Sequence, residues 1–290
     1  MNLTSPSQVR RLLESLGVRP SKSLGQNFLI DRNILDILLR SADISPDDQV
    51  LEVGPGLGVV TERLATMAQR VVAVEKDHRL YAYLCRRFAG AGNIALISGD
   101  MLEIGAADLL SSGLNKVVSN LPYSVGTRIL VDLLQAAHAP AVVVATVQRE
   151  VAERLAAPPG GRAYGLLSVW VQVDYGVETV KHISGTCFWP RPEVSSTIVR
   201  LLRRRISGCP QVDRKAFYDL TRHAFSTRRK QIGTILQTLR RAGGEGRTAA
   251  AADLARIGID PKARPENLSV DDWLRLTEWV CGSPGAEGRR

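Results

Sequence analysis

Cysteine and histidine are scarce in this chain, and negative charge falls short of positive. Four cysteines, Cys85, Cys187, Cys209 and Cys281, are spread through 290 residues with no paired spacing. That spread argues against a zinc site and gives no framework for disulfides, so no metal is expected. His78, His138, His182 and His223 stand in no pattern with an acid and a nucleophile, which leaves triad chemistry without a candidate. No segment supplies the roughly 18 uninterrupted apolar residues of a spanning helix. The start, Met1-Asn2-Leu3-Thr4-Ser5-Pro6, has no apolar stretch of signal-peptide type. A cytoplasmic protein without a membrane partner is the expectation, and no internal repeat is visible.

What is present is an ordinary globular composition with a basic excess. Hydrophobic residues make up 44% and charged residues 23%, which fits a folded chain, and 290 residues suit one large core plus a smaller unit. Lys and Arg number 38 against 29 Asp and Glu, for a net charge of +9. Such an excess favours a polyanionic partner through phosphate contacts and counterion release, although charge alone does not separate nucleic acid from an acidic membrane.

From Gln49 onward short β-rich runs alternate with helical stretches: Gln49 to Val53, Val71 to Glu75, Ile94 to Ser98, Val117 to Ser119 and Ala141 to Gln148. This rhythm predicts an α/β, Rossmann-like, mostly parallel sheet. Leu167 to Val173, Val177 to Ile183 and Thr197 to Leu202 read as further strands, and an antiparallel hairpin ending the sheet fits them. Ahead of the first strand, Ile34, Leu35, Leu38 and Leu39 fall on one face of a helix over Asp31 to Ser41, capped by Asp31 and expected to cover a ligand cleft. After Arg203-Arg204-Arg205, Gly208 and Pro210 the β character stops, so a catalytic domain over 1–206 and a small all-α domain over 207–290 are predicted. The helical part holds 15 basic against 10 acidic residues and the first part 23 against 19, so positive charge is denser after Ile206. The tail from Gly282 to Arg290, rich in Gly and charge, is expected to be disordered.

Glu52-Val53-Gly54-Pro55-Gly56-Leu57-Gly58 follows an apolar strand and precedes a helical pattern, so Gly54 and Gly56 allow close backbone approach to a nucleotide-like cofactor. Glycine recurs at alternate positions, whereas a dinucleotide fingerprint puts two residues before its third glycine; methyl transfer is favoured over hydride transfer. Glu75 ends the second strand, where an acid accepts from ribose hydroxyls, and Asp100 follows the third, suited to an adenine amine. Asn120-Leu121-Pro122-Tyr123 closes the fourth strand. An adenine amine is a poor nucleophile because its lone pair is delocalised into the ring. The Asn120 side-chain carbonyl and the Leu121 or Pro122 backbone carbonyl can hold both amine protons, proline adds no competing donor, and Tyr123 can stack on the purine. No tuned base is required, because the amine sheds its proton after transfer; this is catalysis by proximity and orientation.

These residues resemble the ribosomal RNA adenine dimethyltransferases, in particular their small-subunit (16S) branch. The resemblance is carried by Ser23-Leu24-Gly25-Gln26-Asn27-Phe28-Leu29, the glycine loop, Glu75, Gly99-Asp100 and Asn120-Leu121-Pro122-Tyr123. It continues through Gln148-Arg149-Glu150-Val151-Ala152-Glu153-Arg154-Leu155, Tyr164 to Val169, Phe188-Trp189-Pro190-Arg191-Pro192 and Phe225-Ser226-Thr227-Arg228-Arg229-Lys230. It implies S-adenosyl-L-methionine as cofactor, S-adenosylhomocysteine as product, and dimethylation of two adjacent adenosines in the loop of the last hairpin of 16S rRNA, late in small-subunit assembly; a monomer is the separate expectation for its oligomeric state. Carried over by position, Asn27 and Leu29 line the cofactor, Gly54 contacts it, Glu75 holds ribose, Asp100 the adenine amine, and Asn120 spans cofactor and target. Phe188 would face Tyr123 across the flipped base. Glu193 stands where the family usually has lysine, and Ser124-Val125-Gly126 is a less usual continuation; both bear on local RNA contacts. Arg228, Arg229 and Lys230, in the more basic part and at the start of a helical segment, are the RNA-binding candidates. A large-subunit enzyme of the resistance type and a non-catalytic assembly or transcription factor on the same fold remain as alternatives.

Overall fold

The computed structural model describes residues 3, 5–21, 23–204, 212–241 and 251–282. Arg205, Ile206, Gly208, Cys209, Pro210 and the tail 283–290 lie outside the described residues, and with them the expected domain boundary and most of the expected disordered tail. The chain divides into two compact units, Met1–Ala152 with Tyr175–Arg203, and Glu153–Asp174 with Arg204–Arg290.

The first unit is built on seven strands: β1 (Gln49–Val53), β2 (Arg70–Glu75), β3 (Ile94–Ser98), β4 (Lys116–Asn120), β5 (Val142–Gln148), β6 (Tyr175–Ile183) and β7 (Ser196–Arg203). Their order is β3-β2-β1-β4-β5-β7-β6, parallel through β5 and antiparallel for the last two. Crossover helices cover the central parallel strands on both faces, so these strands carry nearly unbroken apolar runs: Val50, Leu51, Val71 to Val74, Val117, Val118, Val143 and Val144 are all buried. Edge strand β6 behaves differently. Glu178, Thr179, Lys181 and His182 are exposed along it, and a register shift lies between Thr179 and Lys181, charges and irregularity that discourage pairing with another chain.

The helix Arg32–Ala42 is capped by Asp31, whose carboxylate accepts from the Ile34 amide. It does not cover a cleft. Ile34, Leu35, Leu38 and Leu39 pack instead in a cluster with Val118 of β4, Val144 of β5 and Ile198 of β7, because a helix with so wide an apolar face gains most by lying on the sheet.

The second unit is helical and includes a segment expected to be a strand. Residues Leu166–Gln172 form a helix, and Leu167, Val169 and Val171 are buried. The apolar run Leu-Leu-Ser-Val-Trp-Val is β-like in composition, yet a short run buried on all sides does not distinguish strand from helix. The helical unit thus takes in residues 153–174 as well as those from Arg204 onward. Tyr164, Val169 and Val173 share one core with Phe217, Leu254 and Trp273, while the Tyr164 hydroxyl donates to the Leu268 carbonyl and the Trp170 indole to Thr221.

Candidate active site

A cleft opens where β1 to β4 end, at the carboxyl edge on which open parallel sheets bind ligands. Gly54, Gly56, Glu75, Asp100 and Asn120 all line it, as do Asn27 and Leu29 from the N-terminal segment. Gly54, Gly56 and Gly58 have φ of 71°, 58° and 78°, a left-handed run that only glycine adopts cheaply. At Gly58 a Cβ would also lie within 2.9 Å of Leu84 and Phe88.

Glu75 is nearly enclosed. One of its oxygens accepts the Gly56 amide at 3.0 Å and the other the Asp77 amide at 2.8 Å, so the acid braces the glycine loop and each oxygen keeps a lone pair for a hydroxyl. Burial raises its pKa, against these two bonds, which lower it. Asp100 is engaged as well: it accepts the Leu102 amide at 3.0 Å and lies 2.6 Å from the Lys76 ammonium, which holds its carboxyl below the usual range.

At the β4 end the Asn120 side-chain nitrogen donates to the Asn27 carbonyl at 2.8 Å, which fixes the amide. Its oxygen, Oδ1, is buried and has no hydrogen-bond partner among the described residues. A buried acceptor left unpaired costs about 1–3 kcal/mol, and this one belongs to a residue that lines the cleft. The Pro122 carbonyl already accepts the Gly126 and Val125 amides at 2.7 and 3.3 Å, starting the helix Gly126–Gln135. Of the two backbone acceptors the sequence offers, Leu121 is thus the one not committed to the following turn.

The remaining candidates are placed less simply. Pro122 lines the cleft, but Leu121, Tyr123 and Phe188 do not. Tyr123 and Phe188 are brought together with ring centroids 6.4 Å apart at 70°, edge against face, which leaves no parallel slot for a base. Phe188 is buried in the core beside Leu29, and the Tyr123 hydroxyl bonds to that of Ser196, with burial pushing its pKa up to about 12. Arg228, Arg229 and Lys230 form the turn between the helices Arg214–Ser226 and Ile232–Arg241 rather than a helix start, and all three are exposed. Arg228 pairs with Glu266, while Arg229 and Lys230 have no ion pair among the described residues.

Three further residues shape the site without having been singled out. Gly25 has φ of 62°, and a Cβ there would fall 2.7 Å from the Tyr123 amide nitrogen and 2.9 Å from that of Ser124. The N-terminal segment thus rests directly on the loop after β4. Ser196 anchors Tyr123, and Glu52, inside the glycine motif, carries a buried carboxyl into the cleft. Among the described residues no cluster of three or more His, Cys, Asp or Glu is arranged to hold a metal, and no helix is long and apolar enough to cross a membrane.

A family model described as ribosomal RNA adenine dimethylase matches residues 18–281. The ribosomal RNA small subunit methyltransferase A of Lactiplantibacillus plantarum is 38% identical over 283 residues, 96% of each chain. Among solved structures, a dimethyladenosine transferase from Plasmodium falciparum superposes with a TM-score of 0.71 at 25% identity, covering 86% of this chain and 95% of that one. The 23S rRNA methyltransferase ErmE follows with a TM-score of 0.64 at 26% identity, covering 88% and 100%.

Proposed function

The chain belongs to the ribosomal RNA adenine dimethylase family, and from that premise we propose that it dimethylates two adjacent adenosines in the loop of the 3′-terminal hairpin of 16S rRNA. It is an S-adenosylmethionine-dependent rRNA adenine dimethyltransferase on a Rossmann-like sheet. The single observation that carries the assignment of the site is the unpaired, buried Oδ1 of Asn120 at the end of β4.

When bound, S-adenosyl-L-methionine supplies an electrophilic methyl group on a sulfonium. Glu75 and Asp100 fit its ribose hydroxyls and adenine amine, with lone pairs to spare after their bonds to Gly56, Asp77, Leu102 and Lys76. Asn120 Oδ1 and the Leu121 carbonyl accept the two protons of the target amine, so its nitrogen is aimed rather than deprotonated in advance. The proton leaves after transfer, and a second round on the same nitrogen gives the dimethyl product. For a base to stack on Tyr123, the edge-to-face contact with Phe188 has to open.

The small-subunit reading is supported by the relative from Lactiplantibacillus plantarum, 38% identical over 96% of each chain. The exposed Arg229 and Lys230 are suited to phosphate contacts. The test is to incubate unmethylated small subunits with methyl-labelled cofactor, digest the RNA and separate the nucleosides. The expected product is N6,N6-dimethyladenosine at two neighbouring positions near the 3′ end; label confined to large-subunit RNA, or none, would overturn the reading.

A further inference from the structure

The unpaired oxygen of Asn120 has a counterpart on the neighbouring strand. Thr146, on β5, is 0% exposed, and its hydroxyl oxygen has no hydrogen-bond partner among the described residues. Asn120 and Thr146 are direct partners in the parallel pairing of β4 with β5, so their backbones stand about 5 Å apart, one strand spacing. Side chains alternate along a strand, and Val118 and Val144, each two residues earlier, share one apolar cluster with the buried face of the helix Arg32–Ala42. Asn120 and Thr146 therefore lie on that same face of the sheet.

The hydroxyl is out of keeping with its surroundings. It interrupts the apolar run Val142-Val143-Val144-Ala145-Thr146-Val147, and the partner of Thr146 on its other side is Ile198 of β7, a member of the same cluster. Valine has nearly the same shape and would fill the position without a buried polar atom, which is destabilising when it lacks a partner. Of the two cross-strand partners of Thr146, the polar one is Asn120.

Dimethylation makes a demand that a single methyl transfer does not. In each round the amine nitrogen bonds to the methyl carbon as the carbon–sulfur bond breaks, the sulfonium becomes a neutral thioether, and one N–H proton passes to water. The amine thus offers two protons in the first round, one in the second and none in the product. With Asn120 Oδ1 and the Leu121 carbonyl as the two acceptors, one of them is without its donor from the second round onward. Asn120 does not turn away from a methyl group, because its nitrogen is held by the Asn27 carbonyl at 2.8 Å.

A hydroxyl on the adjoining strand can take the place of the missing donor, since its proton is free to rotate. Resting on the dimethyltransferase reading, we propose that Thr146 is a positioning residue acting through Asn120: its hydroxyl turns to donate to Oδ1 once the amine carries a methyl group, and so favours the second transfer over release of the monomethyl product. The first transfer, in which the amine supplies both protons, depends on Thr146 much less.

The experiment follows mono- and dimethyladenosine with time in unmethylated small subunits, at saturating S-adenosylmethionine, for the full chain as wild type, Thr146→Val and Thr146→Ser. In Thr146→Val the first transfer should slow less than about threefold and the second about tenfold, so that monomethyladenosine accumulates. Thr146→Ser, which keeps a hydroxyl, should bring the second rate back to within about threefold of wild type. Because valine removes an unpaired polar atom, the thermal midpoint of Thr146→Val should be no lower than that of wild type. In an Asn120→Ala background the same substitution should leave the ratio of second to first rate unchanged, since the group it acts through is gone. Equal slowing of both transfers in Thr146→Val, an unchanged ratio, failure of serine to rescue, or the same change of ratio with Asn120→Ala overturns the role of Thr146. Thr146→Ala also lacks the hydroxyl and decides the question if the valine variant does not fold. A wild type that forms no methyladenosine overturns the methyltransferase reading itself, whereas a wild type that dimethylates no better than Thr146→Val overturns this inference alone.

Discussion

At the β2 and β3 end of the cleft all four carboxylate oxygens of Glu75 and Asp100 are engaged, by Gly56, Asp77, Leu102 and Lys76, whereas at the β4 end the buried oxygen of Asn120 has no partner among the described residues. The first end is assembled without a ligand, and a ligand there adds hydrogen bonds to a frame already in place. The second holds an acceptor whose desolvation is offset only when a donor arrives. An interaction of the first kind acts on affinity. One that is completed only as the target amine is seated acts on rate.

The sharpest way to break this distinction is Asn120→Ala. Deleting one of two acceptors for the amine should slow single-turnover methylation at saturating cofactor about a hundredfold, while cofactor affinity changes by less than about fivefold. Retention of more than about a third of the wild-type rate, or an affinity loss as large as the rate loss, would show that the two ends do not differ in kind. Glu75→Ala probes the other end and should do the reverse. It removes a charged acceptor and also releases the Gly56 amide, so cofactor binding by calorimetry should weaken at least about tenfold, with the saturated single-turnover rate within about threefold of wild type. The smallest effect is expected from Arg229→Ala combined with Lys230→Ala, residues that belong to neither end. Cofactor affinity should stay unchanged, and the slope of log affinity for RNA against log salt should fall by about 1.5, since each phosphate no longer neutralised removes about 0.7–0.9. An unaltered slope would leave them as surface charge.

Much of the frame is legible in the sequence because ligand chemistry in a parallel sheet gathers at strand ends. An apolar run that stops at a glycine loop or at Glu75, or just short of Asp100, marks both an element and a site. What stayed hidden depends on partners distant in the chain. The bond from Tyr123 to Ser196 spans 73 residues, and nothing local in either neighbourhood announces it. Whether Phe188 faces a cleft or a core is decided by Leu29 and its neighbours, and the core has it. The helix Leu166–Gln172 was illegible for a different reason: β-branched and aromatic residues have weak helix propensity, but burial against the helical core overrides so small a preference.

One further consequence concerns how the protein is made. The wall of the cleft formed by Phe28 and Leu29 is pinned by an antiparallel pairing with Trp189 and Phe188, 159 residues away in the register Leu29 with Phe188. Ribosomes deliver the chain from the N-terminus, at about 5–20 residues per second. A nascent chain can expose the glycine loop, both acids and Asn120 for several seconds before the strand that pins their wall has been synthesised. That wall of the cleft is therefore completed only once Trp189 has been synthesised, after the central parallel strands have emerged.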